Sequence, residues 1–207
     1  MDWIDVNQNT DEWFDLRVGR FGGSTIGKIM ANFDKAFGPP AHGAAVRVAL
    51  EKITGVRKES SYTNEHMERG IEQEPIARQL YEQTTFCDVT NGGYIIVNND
   101  IGVSPDGLVG DDGIIEIKSV IDTVHFDTVK RNAPDPKYKW QLCFNLKCSG
   151  RDWIDYVEFC ADFPKGKRLS IFRWFATDLQ AEFEMIDSRL VEFHQLVREK
   201  IKIINGA

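Results

Sequence analysis

No stretch of the 207-residue chain approaches the roughly 20 consecutive apolar residues that a bilayer-spanning helix needs. Cysteine is scarce and scattered. Cys87, Cys143, Cys148 and Cys160 include no pair at the two-residue gap of a zinc knuckle or redox motif, and their spacing gives poor support to an iron–sulfur cluster. Free thiols in a reducing compartment, several of them buried, are expected. Internal repeats, low-complexity tracts and interdomain linkers are also missing, so one domain over 1–207 is expected. The opening Met1-Asp2-Trp3-Ile4-Asp5 is acidic, with neither the basic start nor the apolar run of a secretory leader. A soluble, cytoplasmic protein without membrane contact is expected. Positive charge is in deficit as well: 25 lysines and arginines face 32 aspartates and glutamates, a formal −7. That balance does not advertise nucleic acid, but a whole-chain sum hides local strips and counts site carboxylates against them. Two strips run against the trend: Lys130, Arg131, Lys137, Lys139, Lys147 and Arg151, then Lys165-Gly166-Lys167-Arg168. The alternative for each is a solvated charged face.

What is present suffices for a sizeable core, with 42% hydrophobic and 11% aromatic residues. The first 20 residues mix Trp3, Trp13 and Phe14 with charges and lead toward a helix. Ser24 reads as the cap of that helix, running to about Asn32 with Ile26, Ile29 and Met30 on its apolar face. Gly38-Pro39-Pro40 breaks the chain before a helix over about 44–53. A longer helical pattern over 64–83 places Met67, Ile71, Ile76, Leu80 and Tyr81 near helical spacing, and Pro75 should start, end or kink it near Glu74. Short β-prone runs come next, at 94–97, 101–103, 108–109 and 113–118. Helices are expected over 124–131 and 138–147, strands over 153–159 and 169–175, and a final amphipathic helix over 179–203. Together these give an α/β chain: a central mixed β-sheet flanked by helices.

The chemically informative stretch is Ser104-Pro105-Asp106-Gly107-Leu108 followed by Gly113-Ile114-Ile115-Glu116-Ile117-Lys118. Ser-Pro-Asp-Gly is a turn signature, and the segment after it reads as a hairpin. Strand side chains repeat with period two, so Glu116 and Lys118 share one face while Ile115 and Ile117 take the other. Burying a charged pair on so apolar a strand is costly without a purpose. Metal-assisted phosphodiester hydrolysis supplies one. Mg²⁺ prefers oxygen ligands and keeps waters, so Asp106 and Glu116 plus a substrate phosphate suffice. Lys118 could deprotonate or orient the attacking water, or stabilise charge on the phosphate. Glu74 could add a carboxylate for a second ion. The bland alternatives are a turn aspartate, a solvent-facing strand pair and a surface helix glutamate.

The arrangement resembles the catalytic motif of restriction-endonuclease-like nucleases, and more of the chain resembles the lambda-exonuclease (YqaJ-type) viral recombination nucleases. Trp13-x-x-x-Arg17 with Gly19 and Ser24 looks like that family's opening motif, and Gly70-x-x-x-Glu74-Pro75-x-Ala77-Arg78-x-x-Tyr81 like its second. Ser104 to Leu108 and Glu116-Ile117-Lys118-Ser119 supply the third and fourth, and Gln141 before the Trp153 strand completes an ordered set over about 13–160. The resemblance implies a restriction-endonuclease-like core and 5′-to-3′ digestion of one strand of linear double-stranded DNA. The products would be 5′-mononucleotides and a 3′ single-stranded tail. It implies Asp106, Glu116 and Glu74 as metal-site acids, Lys118 as the catalytic lysine, and Arg17 and Ser24 at the terminal 5′-phosphate. Ser104 and Gln141 would lie against substrate. It also implies two Mg²⁺ ions with Mn²⁺ able to substitute, a homotrimeric ring, a bacterial host and a partner single-strand annealing protein. The chain departs from the family in lacking a second glutamine shortly after Gln141, where Leu142 and Cys143 stand instead. An endonuclease of the same fold (a restriction enzyme or junction resolvase) and a catalytically silent DNA-binding scaffold are the competing readings.

Overall fold

The computed structural model describes residues 1–58 and 65–206. Seven α-helices and eight strands are assigned there: β1 (Asp2–Ile4), α1 (Asp11–Leu16), α2 (Gly23–Met30), α3 (Pro39–Thr54), α4 (Glu65–Thr85), β2 (Val89–Thr90), β3 (Tyr94–Ile96), β4 (Gly102–Val103), β5 (Gly107–Val109), β6 (Gly113–Ser119), α5 (Asp122–Arg131), α6 (Lys139–Ser149), β7 (Trp153–Phe159), β8 (Leu169–Phe175) and α7 (Gln180–Ile204). Among the described residues no helix is long and apolar enough to cross a membrane.

The strands form a five-stranded sheet, ordered β2-β5-β6-β7-β8, and a three-stranded sheet, ordered β1-β3-β4. In the larger sheet only β6 and β7 pair in parallel. Parallel neighbours cannot be joined by a tight hairpin, and here α5 and α6 make the crossover. The sheet is therefore mixed and flanked by helices, as expected. On one face Ile114, Ile154 and Tyr156 join the main core with Ile26, Ile29, Leu142, Phe144, Ile186 and Phe193 from α2, α6 and α7. On the other, Ile115, Ile117, Val157 and Phe159 pack against Ala77 and Tyr81 of α4. The alternation along β6 thus splits its side chains between two helical layers.

Several expected boundaries shift. Pro39 and Pro40 open α3 rather than precede it, because the first helical positions need no backbone donor. Helix α4 runs through Pro75 as one element, so it neither starts nor ends near Glu74. Pro75 and Ile71, four residues before it, both lie on the exposed face, where water can satisfy the carbonyl that loses its donor. Ile71 and Ile76 are 55% and 54% exposed, whereas Tyr81 is buried as expected, beside Ala77 and with Leu80 packed against them. Asn64 and the Met67 side chain lie outside the described residues. Strand β1 and helix α1 had no clear signal: β1 is three residues long and exists through its pairing with β3. All four cysteines are free, and Cys143, Cys148 and Cys160 are buried.

Candidate active site

The hairpin β5–β6 places the acids. Asp106 precedes β5, its backbone N–H donating to Ile115 at 3.1 Å, while its Oδ2 accepts from the Ile117 N–H at 2.6 Å. Glu116 is only 2% exposed. Its carboxylate accepts from Lys118 Nζ and Gln141 Nε2 at Oε1 and from Asn145 Nδ2, 2.8 Å away, at Oε2. Gln141 and Asn145 stand one turn apart on α6, so a single helical face delivers both amides. Asn145 therefore fills the place of a second amide, although the sequence shows no second glutamine.

Burial first, and the Glu116 carboxylate next, push the Asp106 carboxyl well above its ordinary pKa, with Lys118 pulling it back. Burial works against the Lys118 ammonium, but Glu116 and Asp106 outweigh it and hold its pKa above the usual lysine value. Glu74 is raised by burial and lowered by Arg78, whose guanidinium lies 3.3 Å from it; Glu116 adds a further upward push. Arg78 also donates to the Asp106 carbonyl, tying α4 to the hairpin. An acid kept from ionising by burial and a neighbouring carboxylate is a chemically suitable seat for a hard divalent cation, whose charge would relieve the repulsion. Among the described residues, no three of the histidines, cysteines, aspartates and glutamates gather tightly enough to form a metal-ligand group. Asp106 and Glu116 remain the fitting pair, because Mg²⁺ accepts one or two carboxylates and completes its shell with water and phosphate.

Asp106, Glu116, Lys118, Gln141, Ser104, Arg17 and Ser24 line one cleft of about 610 Å³. Glu74 lines an adjoining cavity of about 730 Å³ that shares Asp106 and Lys118. All eight expected site residues thus meet in one connected region, though two differ in detail. Ser24 is not a helix cap: Gly22 holds that place, and Ser24 sits exposed inside the first turn of α2. Ser104 is engaged within the protein, its Oγ accepting from Trp13 Nε1 at 2.7 Å.

The basic strip lies elsewhere than expected. Lys137, Lys139 and Lys147 pair with Asp135, Glu182 and Asp187, so half of the first strip is locally neutralised. The concentration is in the cleft. There Arg17, Arg20, Lys28, Arg47, Arg57, Lys58 and Lys118 face Glu51, Asp106 and Glu116, seven cations against three acids, a local +4. Arg17 stacks over Trp13 at 3.9 Å and Arg57 over Phe14 at 3.4 Å. Burial lowers the Arg17 pKa; Tyr94 opposes this, Arg47 and Arg57 add to it, and the Glu51 carboxylate offsets them only in part. Buried Glu51 organises the cluster, accepting from the Gly19 N–H at 3.0 Å, Arg47 at 2.8 Å and the Lys58 N–H at 3.2 Å. Arg47, Arg57, Glu51 and Asn145 were not singled out from sequence. Isolated arginines in helical or loop stretches carry no spacing signal, and only the fold brings them beside Arg17.

Comparison with known proteins gives the family and the fold. A family model described as YqaJ-like viral recombinase domain matches residues 12–152. An alkaline exonuclease (LHK-Exo) from Laribacter hongkongensis is 30% identical over 96% of this chain and 100% of its own, with a TM-score of 0.78. Its complex with dAMP aligns at 31% identity over the same shares, with a TM-score of 0.79. A phage related exonuclease from Haemophilus somnus 129PT shares the fold, with a TM-score of 0.68 at 17% identity over 89% of this chain and 96% of its own. No curated protein matches the chain. Fold and site together define a nuclease of the alkaline-exonuclease kind. The chain belongs to the YqaJ-like viral recombinase domain family.

Proposed function

We propose that the chain, acting as one nuclease domain over 1–207, is a Mg²⁺-dependent 5′-to-3′ exonuclease. It would digest one strand of linear double-stranded DNA to 5′-mononucleotides and leave a 3′ single-stranded tail for strand annealing. The observation that carries this reading is the convergence of Asp106, Glu116 and Lys118 on a cleft whose far wall is basic. Asp106 and Glu116 would hold the divalent ion, with Glu74 close enough to support a second. Bound there, the metal would supply Lewis-acid activation and charge neutralisation at the scissile phosphate. Gln141 fixes the Glu116 carboxylate, and Lys118 presents positive charge and donors toward water or phosphate.

Arg17 and Ser24 are proposed to receive the terminal 5′-phosphate, a fit for guanidinium forks and hydroxyls at a helix start. Arg47 and Arg57 extend that grip. A homotrimeric ring, Mn²⁺ as a working substitute, a single-strand annealing protein as partner and the cytoplasm of a bacterial host complete the proposal, supported by family membership.

A time course on 5′-phosphorylated linear duplex with and without Mg²⁺ tests it. Mononucleotides and a surviving single strand should accumulate only with metal, and dephosphorylated ends should slow the reaction. Cutting of covalently closed circles would replace this reading with an endonuclease. No cleavage by wild type with metal, together with biological activity untouched by Lys118→Ala, would replace it with a silent DNA-binding scaffold.

A further inference from the structure

Asn145 is 2% exposed, donates through Nδ2 to Glu116 Oε2 at 2.8 Å, and leaves its Oδ1 buried without a hydrogen-bond partner among the described residues. An orphaned amide oxygen is unfavourable in a protein interior. Flipping the amide would not relieve it, because Oδ1 would then face the Glu116 carboxylate, acceptor against acceptor. The orientation is therefore dictated by Glu116. Oδ1 points at Gly23, the first residue of α2: a Cβ built there would lie 2.4 Å from it. Gly23 has no positive φ to explain its identity. It is a notch that admits the Asn145 amide. The next two residues, Ser24 and Thr25, line the basic cleft, so α2 and the Glu116 carboxylate share one wall through Asn145.

We infer that Asn145, seated in the notch at Gly23, is a positioning residue that fixes the Glu116 carboxylate for the divalent cation. This rests on the proposed metal site. Groups that orient a ligand from behind typically change metal affinity 10- to 100-fold when lost, about the size expected here.

The test is Mn²⁺ binding by calorimetry on folded wild type, Glu116→Ala, Asn145→Ala, Asn145→Leu, Gly23→Ala and Gly23→Ala/Asn145→Ala, with thermal unfolding alongside. Asn145→Ala should weaken Mn²⁺ binding about 10- to 100-fold, and Asn145→Leu, which keeps the volume but not the donor, should do the same. Gly23→Ala should weaken binding in the wild-type background and have no added effect once Asn145 is alanine, since the clash is gone. Retained affinity in Asn145→Leu, or a Gly23→Ala penalty of equal size in both backgrounds, overturns the inference. If wild type binds no Mn²⁺, or Glu116→Ala binds as well as wild type, the metal-site reading itself fails, and that result is separate from loss of the Asn145 effect.

Discussion

Two buried carboxylates stand on neighbouring strands, Glu116 on β6 and Asp155 on β7, and their surroundings differ in kind. Asp155, 1% exposed, accepts from Arg173 Nε and Nη2 at 2.8 Å each and from the Tyr81 hydroxyl at 2.7 Å. One full guanidinium answers one full carboxylate in fork geometry, and the pair clamps α4 and β8 to the sheet. Glu116 is held by two neutral amides and one lysine, with a second carboxylate beside it. The first acid is complete within the protein. Around Glu116 and Asp106 a single ammonium serves two carboxyl groups, and Asp106 resists ionising for want of a second cation. Burial alone therefore does not mark a functional acid; incomplete neutralisation beside a cleft does.

That contrast can be broken most forcefully at Glu116. Glu116→Ala should reduce cleavage of linear duplex by about 10³-fold or more while duplex binding survives, as expected when several kcal/mol of metal-derived stabilisation are lost. A gel-based turnover assay beside a binding assay reads both, and undiminished turnover would end the nuclease reading. Lys118→Ala should lower the rate by about 10²- to 10³-fold with Mn²⁺ binding retained. Asp155→Ala should act on stability instead, lowering unfolding free energy by about 1–3 kcal/mol in a urea titration because buried Tyr81 loses its acceptor while half-exposed Arg173 turns to water. Mn²⁺ at about 100 times its dissociation constant should stabilise wild type by about 2.7 kcal/mol and leave Glu116→Ala unmoved in the same titration. The smallest effect is expected at Arg17. Arg17→Ala should raise KM for 5′-phosphorylated ends by about tenfold, the loss of roughly one charge-assisted contact, with kcat nearly unchanged.

The legible part of the site was the part encoded by contiguous residues. A turn signature and period-two alternation place Asp106, Glu116 and Lys118 without any knowledge of the fold, and β6 obeys that alternation. Strands β7 and β8 and the long C-terminal helix were legible for the same reason. What escaped needed tertiary contact. Asn145 is a polar residue inside a helix that also buries Leu142, Cys143, Phe144, Leu146, Cys148 and Ser149, and nothing local separates it from a surface asparagine. Pro75 misled because proline's cost depends on whether its turn faces water, and this one does. The basic strip misled because adjacency in sequence says nothing about the acids that α7 lays against Lys139 and Lys147.

An anionic protein that gathers seven of its 25 lysines and arginines in one groove gives an approaching polyanion a preferred place to land. Phosphates would be repelled over much of the exterior and drawn toward the groove that Arg17 and Arg57 line, so orientation is selected before contact. Added salt should erase that selectivity of approach sooner than it erases the chemistry within, where the acids and Lys118 are shielded from the bulk.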